Sequence, residues 1–233
     1  MTKIDMKKED RCCYSGRKGR FDLVSVPEMN FLQIDGKGDP NTSKAFSSAV
    51  GSLFALSYSL KFYSKLKRER DYAVMPLEAL WWAADEAVFQ RLEKDEWLWT
   101  AMIRQPDWID QKLLDIVLEE TVEKINRKRE AATDEQTLRK MRLARWSEGD
   151  CVQTLHLGSF DAEGPVLAEM HDTFIPGLGG RMRGKHHEIY LSDLRRTPSD
   201  RLRTILRQPV ELPQGGIFAQ RKRDQVDVDE ELA

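Results

Sequence analysis

Glu188 and Tyr190 carry the clearest candidate chemistry in this chain. They lie in the run Gly184-Lys185-His186-His187-Glu188-Ile189-Tyr190-Leu191-Ser192-Asp193. Ile189 and Leu191 alternate with polar residues and Asp193 opens a turn-like run, which predicts a strand. Side chains two apart on a strand share a face. His186, Glu188, Tyr190 and Ser192 therefore point one way, and His187, Ile189 and Leu191 the other. The second set suits packing beneath a helix. A carboxylate beside a phenol offers a general base and a hydrogen-bond donor. The structural alternative is a half-exposed strand with an ordinary surface glutamate.

Other chemistries find less support. His186 and His187 are adjacent on a strand and cannot chelate one metal together. The three cysteines, Cys12, Cys13 and Cys151, form neither a disulfide framework nor a CxxC pair. Gly177-Leu178-Gly179-Gly180 follows a helix instead of opening one, unlike a phosphate loop. Neither a metal nor a cofactor is expected.

The chain has 233 residues, with 37 basic and 39 acidic side chains and a net charge of −2. Near-balance argues against nucleic acid held by the overall field. No apolar run approaches the roughly 18 residues of a membrane span. The charged start, Met1 to Lys8, lacks the apolar stretch of a signal peptide. A reducing, cytoplasmic setting is expected, and no feature marks a protein partner.

The elements that must position the Glu188 strand follow from periodicity and breakers. Residues 1–20 read as a basic, loosely held arm. Phe21 to Val26 and Phe31 to Asp35 are predicted strands on either side of a turn at Pro27 to Asn30, closed by Gly36 to Pro40. Asn41 or Thr42 is placed to cap a helix reaching about Leu66, with Phe46, Val50, Leu53, Leu56 and Leu60 on its core face. Tyr58 and Phe62 fall away from that face. Asp71 to Trp82 and Glu96 to Gln105 read as strands, with Pro76 implying an edge or bulge in the first. Asp107 is placed to cap a helix running to about Arg129. Leu138 to Trp146 and Cys151 to Leu157 read as a hairpin around Ser147 to Asp150. A helix over Asp161 to Phe174 ends at Pro176 and the glycines. Leu202 to Gln208 is the last strand, and Leu212 to Ala233 a flexible tail.

This order contains a repeat. Strand, turn, strand-to-glycine, helix, strand, strand occurs at about 21–106 and again at 138–210, joined by the helix at 107–130. Arg104-Gln105-Pro106 and Arg207-Gln208-Pro209 close the two copies. The predicted fold is α+β: a tandem duplication of a strand–helix–strand–strand unit, with antiparallel sheets around a central ligand cleft. Aligning the copies sets Pro76, Glu78 and Trp82 against Glu188 and Tyr190. A carboxylate facing such an aromatic wall would have its pKa raised by desolvation. The expected ligand contacts are Trp82, Tyr58, Pro76, Glu78 and His186, and the aromatic wall favours a flat or cationic small molecule.

The second copy resembles the GyrI-like small-molecule-binding family. The residues carrying the resemblance are Val152 to Phe160, His186 to Arg196 and Leu206 to Pro209. In the first copy, Met75 to Trp82 resembles the stand-alone branch of that family. The resemblance implies the duplicated fold with its ligand cleft. Family members serve as drug-sensing halves of transcription regulators, while others hydrolyse the cyclopropane of DNA-alkylating natural products. It also implies that the buried family glutamate is Glu188 and its aromatic neighbour Tyr190. Ser159-Phe160 stands where many relatives have Pro-Tyr, which removes a phenol. The expected activity is detoxifying hydrolysis, with Glu188 as base and Tyr190 positioning the water; the alternative is a binder that sequesters aromatic or cationic drugs.

Overall fold

The computed structural model describes residues 2–83, 93–128, 134–193 and 196–213. The segment 84–92 and most of the predicted tail lie outside the described residues. Six antiparallel strands close on themselves. They are β1 (Asp22–Lys37), β2 (Leu77–Trp82), β3 (Leu98–Gln105), β4 (Arg142–Leu157), β6 (His186–Tyr190) and β7 (Arg203–Glu211). The order β4-β1-β3-β2-β6-β7 is completed by pairing of β4 with β7. The two-residue strand β5 (Arg181–Met182) adds to β7. The sheets expected around a cleft are therefore one closed barrel, which leaves no edge along most of its circumference.

Both long strands depart from the predicted hairpins. β1 runs unbroken through Pro27, and β4 runs unbroken through Gly149. The two pair from Asp22↔Gln153 to Gln33↔Arg142, and the ladder skips only Pro27 opposite Glu148. Pro27 has no N–H to donate, and Gly149 takes a positive φ of 65° within the strand. Turn-type residues here bend a long strand without ending it. Likewise β7 continues through Pro209 to Glu211.

One helical layer packs outside the barrel. Helix α2 (Lys44–Lys67) begins at Ser43, whose hydroxyl accepts from the Phe46 N–H. Its buried stripe of Phe46, Ala49, Leu53, Leu56 and Leu60 packs over β1 and β3. Phe46 meets Trp81 and Trp99, and the Gln105 amide donates to Ser57. Gly36 is required beneath this layer, since a Cβ there would overlap the Trp99 indole. Helix α3 (Gln111–Lys128) packs against α2, and Asp110, not Asp107, caps it by accepting from the Leu113 N–H at 2.8 Å. The short α4 (Glu135–Leu138) leads into β4. The helix predicted over Asp161 to Phe174 is interrupted. A 3-10 turn at Phe160–Ala162 precedes α5 (Gly164–Ala168), a π-helical turn (Glu169–Phe174) and α6 (Ile175–Gly177).

The N-terminal arm is not loose. It contains the one-turn helix α1 (Met6–Glu9), and Met6, Cys13 and Tyr14 are buried. Arg104 pairs with Asp10 at 2.7 Å, and the Gln153 amide donates to the carbonyls of Cys12 and Ser15. The arm enters the barrel and fills part of its lumen.

Candidate functional site

The register of β2 against β6 decides which predicted site residues meet. Leu77 pairs with Tyr190, Ala79 with Glu188 and Trp81 with His186, while Glu78 pairs with Ile189 and Leu80 with His187. Directly opposed residues share a face. His186, Glu188 and Tyr190 thus lie with Trp81 on the helix-covered outside. Glu78 and Trp82 lie with His187 on the inside. The expected assembly of Trp82 and Glu78 around Glu188 does not form, and it is the Glu188 face, not the His187 face, that packs under helices. Pro76 precedes β2 and does not bulge it. Tyr58 sits on the exposed side of α2 and stacks on Phe62.

On the outer face the hydrogen bonds run in one direction. The Trp81 indole N–H donates to the Tyr190 oxygen at 3.2 Å, and the Tyr190 hydroxyl donates to Glu188 Oε2 at 2.7 Å. The Phe160 ring meets Tyr190 edge-on at 5.6 Å. Burial raises the Glu188 carboxyl to about 7 against the opposing bond from Tyr190. Burial also holds the Tyr190 hydroxyl well above its usual range, so the phenol remains protonated. The other Glu188 oxygen, Oε1, lies 3.7 Å from His186 Nε2.

Two groups that sequence reasoning missed complete this site. Glu163 is 4% exposed, and its Oε1 has no hydrogen-bond partner. Burial, then the charges of Glu188 and Asp161, raise its carboxyl to about 10. His171, from the π turn, stacks edge-on against His186 at 6.1 Å. Burial lowers both histidines, His186 to about 3, so they are neutral. The site combines an ionisable carboxylate, a protonated carboxyl, a phenol and neutral imidazoles between aromatic walls. Such a set is suited to moving a proton at neutral pH. Glu163 precedes Gly164-Pro165 and reads in sequence as an exposed helix-start acid, so no local signal marks it. Trp81, the neighbour of the expected Trp82, is the indole on this face.

The lumen holds a second, charged network. His187 Nδ1 lies 2.9 Å and Arg207 Nη1 2.7 Å from Glu148 Oε2, and His187 Nε2 lies 3.1 Å from Glu78. The Tyr14 hydroxyl donates to Glu78 at 3.0 Å. Arg207 also donates to Gln153 and to the Cys13 carbonyl. Burial alone would raise Glu148, but His187 and Arg207 bring it down to about 2. Burial opposes the charge on His187, yet Glu148 and Glu78 raise it above its usual value. This network fixes the arm inside the barrel and turns no group toward the Glu188 face.

Among the described residues no group of three His, Cys, Asp or Glu is placed to hold a metal, and no helix is long and apolar enough to cross a membrane.

A closed antiparallel barrel flanked by helices, with a largely enclosed carboxylate–phenol pair, is suited to holding a small molecule. Residues 20–211 match the GyrI-like small molecule binding domain, and the chain belongs to that family. An uncharacterized conserved protein from Listeria innocua is similar at 38% identity and a TM-score of 0.78, covering 90% of this chain and 100% of its own. A hydrolase from the same organism is similar at 38% identity and a TM-score of 0.73, with the same coverage. No curated protein matches the chain.

Proposed function

We propose that this protein opens the cyclopropane ring of electrophilic, DNA-alkylating compounds with water activated by Glu188. The observation that carries the reading is Glu188 itself, its side chain 14% exposed, raised to about 7 and bonded by Tyr190. The likeness to a Listeria innocua hydrolase over nearly the whole chain supports an enzyme. In the proposed step, Glu188 takes a proton from water as the water oxygen bonds to the strained carbon. The C–C bond breaks, and its electron pair enters the fused dienone, which becomes an aromatic phenolate. Glu163, protonated at neutral pH, lies on the same face to return a proton to that oxygen. Tyr190 holds the base in orientation, and Trp81 and Phe160 wall the ring system. Aromatisation drives the step, so positioning and base catalysis suffice.

We read the barrel as a duplication, 21–106 and 138–210, in support of which β1-β3-β2 and β4-β7-β6 repeat the same pairing order. The role is detoxification in the cytoplasm. The second reading is a binder without turnover, favoured by the Glu188 carboxylate beside neutral histidines and aromatic rings, which would hold an aromatic cation.

Purified protein incubated with a spirocyclopropane-bearing alkylating compound, wild type beside Glu188→Gln, separates these by mass spectrometry. A product heavier by one water with wild type alone is expected. Unchanged compound that binds wild type more tightly than Glu188→Gln would replace the hydrolase with the binder.

A further inference from the structure

We propose that the mouth of the barrel is a second ligand site, which takes a small, flat aromatic anion. A cavity of about 410 Å³ opens there, within the range of small-molecule sites. Trp82, Trp146 and Leu80 give it apolar walls, and Arg142, Arg183 and Lys185 give it cations. It has no lining residue in common with the Glu188 face, from which the barrel wall separates it.

The charges do not cancel locally. Arg142 is matched by Asp35 at 2.9 Å, and Glu148, at the base, is matched from within by His187 and Arg207. Arg183 donates to the backbone carbonyls of Val210 and Glu148. Lys185 Nζ lies 3.1 Å from the centre of the Trp82 ring. Among the described residues neither Arg183 nor Lys185 has a carboxylate within ion-pair distance. Asp35 acts on Lys185 as well as on Arg142, so one carboxylate serves two cations, and with Arg183 added the excess positive charge beside two indoles forms a receptor for a negative group carried on a ring. Burial of Lys185 lowers its pKa, and an anion would relieve that strain on its charge.

Titration calorimetry with 2-naphthoate, 2-naphthol and 2-naphthylmethylammonium tests the site, because the three share a ring and differ in charge. Naphthoate is expected to bind one to one, at least tenfold tighter than naphthol, with the ammonium weakest. Lys185→Gln should weaken naphthoate roughly tenfold, the worth of one charge-assisted hydrogen bond. Trp82→Leu should weaken all three. Glu188→Gln should leave naphthoate unchanged, which separates this site from the one above. Equal binding of naphthol and naphthoate, preference for the ammonium, absence of binding, or loss in Glu188→Gln alone would overturn the proposal. The three-probe comparison in wild type decides even if a variant fails to fold.

Discussion

Replacing Glu163 by glutamine should stabilise the protein, and by more as the pH rises. The carboxyl moves from 4.5 to about 10 on folding because it is buried beside Glu188 and Asp161. A carboxyl raised in the folded state lowers stability as pH climbs above its unfolded value, until the folded value is passed. The window here is 4.5 to about 10. Each unit within it corresponds to about 1.4 kcal/mol, so the full linkage between pH 5 and pH 8 would be about 4 kcal/mol. Water reaching the opened carboxylate reduces this, and about 2 kcal/mol is expected. Glutamine has nearly the same shape and does not titrate. Urea denaturation of both proteins at pH 5, 6, 7 and 8 gives the difference directly. A gap widening with pH in favour of Glu163→Gln is expected. A variant less stable than wild type at pH 8, or a gap that does not change with pH, would refute the argument that Glu163 is held protonated. Turnover should fall in the same variant, because the proton donor is gone.

Three further outcomes follow from the same geometry. The rate of ring opening should rise with pH around a midpoint near 7, since the base is active only when Glu188 is ionised; a flat profile from pH 5 to 9 would exclude that role. Arg207→Met leaves Glu148 buried with only His187 as a charge partner and should cost roughly 3 kcal/mol or more, about 10 °C in Tm by thermal melting. Gly36→Ala should cost about 2 kcal/mol in urea denaturation, because the new methyl overlaps the Trp99 indole, and a change under about 0.5 kcal/mol would contradict the packing described.

Helix α2, the strand at β6 and the closing strands are legible from periodicity alone. Their apolar residues recur at 3.6 or 2 positions over a long stretch. The strand breaks were misplaced for one reason. Pro27 and Gly149 are turn formers by local preference, yet the ladder of β1 on β4 holds sixteen-residue strands through them. Glu188 and Tyr190 were visible as an i, i+2 pair. Their companions were not, because the partner of a strand residue is set by register. A one-residue shift exchanges Trp81 for Trp82 and moves Glu78 to the lumen. Glu163 is buried only because the chain after β4 folds back over β6, which no local pattern records.

The docking of the arm has a consequence for synthesis. The Gln153 amide reaches back 141 residues to Cys12 and 138 to Ser15, and Arg207 reaches back 194 to Cys13. At translation rates of about 5–20 residues per second, residues 1–20 are made roughly 10–40 seconds before Arg207. Tyr14 and Cys13 stay without their final surroundings throughout that interval. The arm thus leaves the ribosome well before the residues that lock it, and closure must await β7. Contacts so distant in sequence also mark a slow folder. Until β4 is made, β1 has no partner along that edge, and the lumen stays open to water.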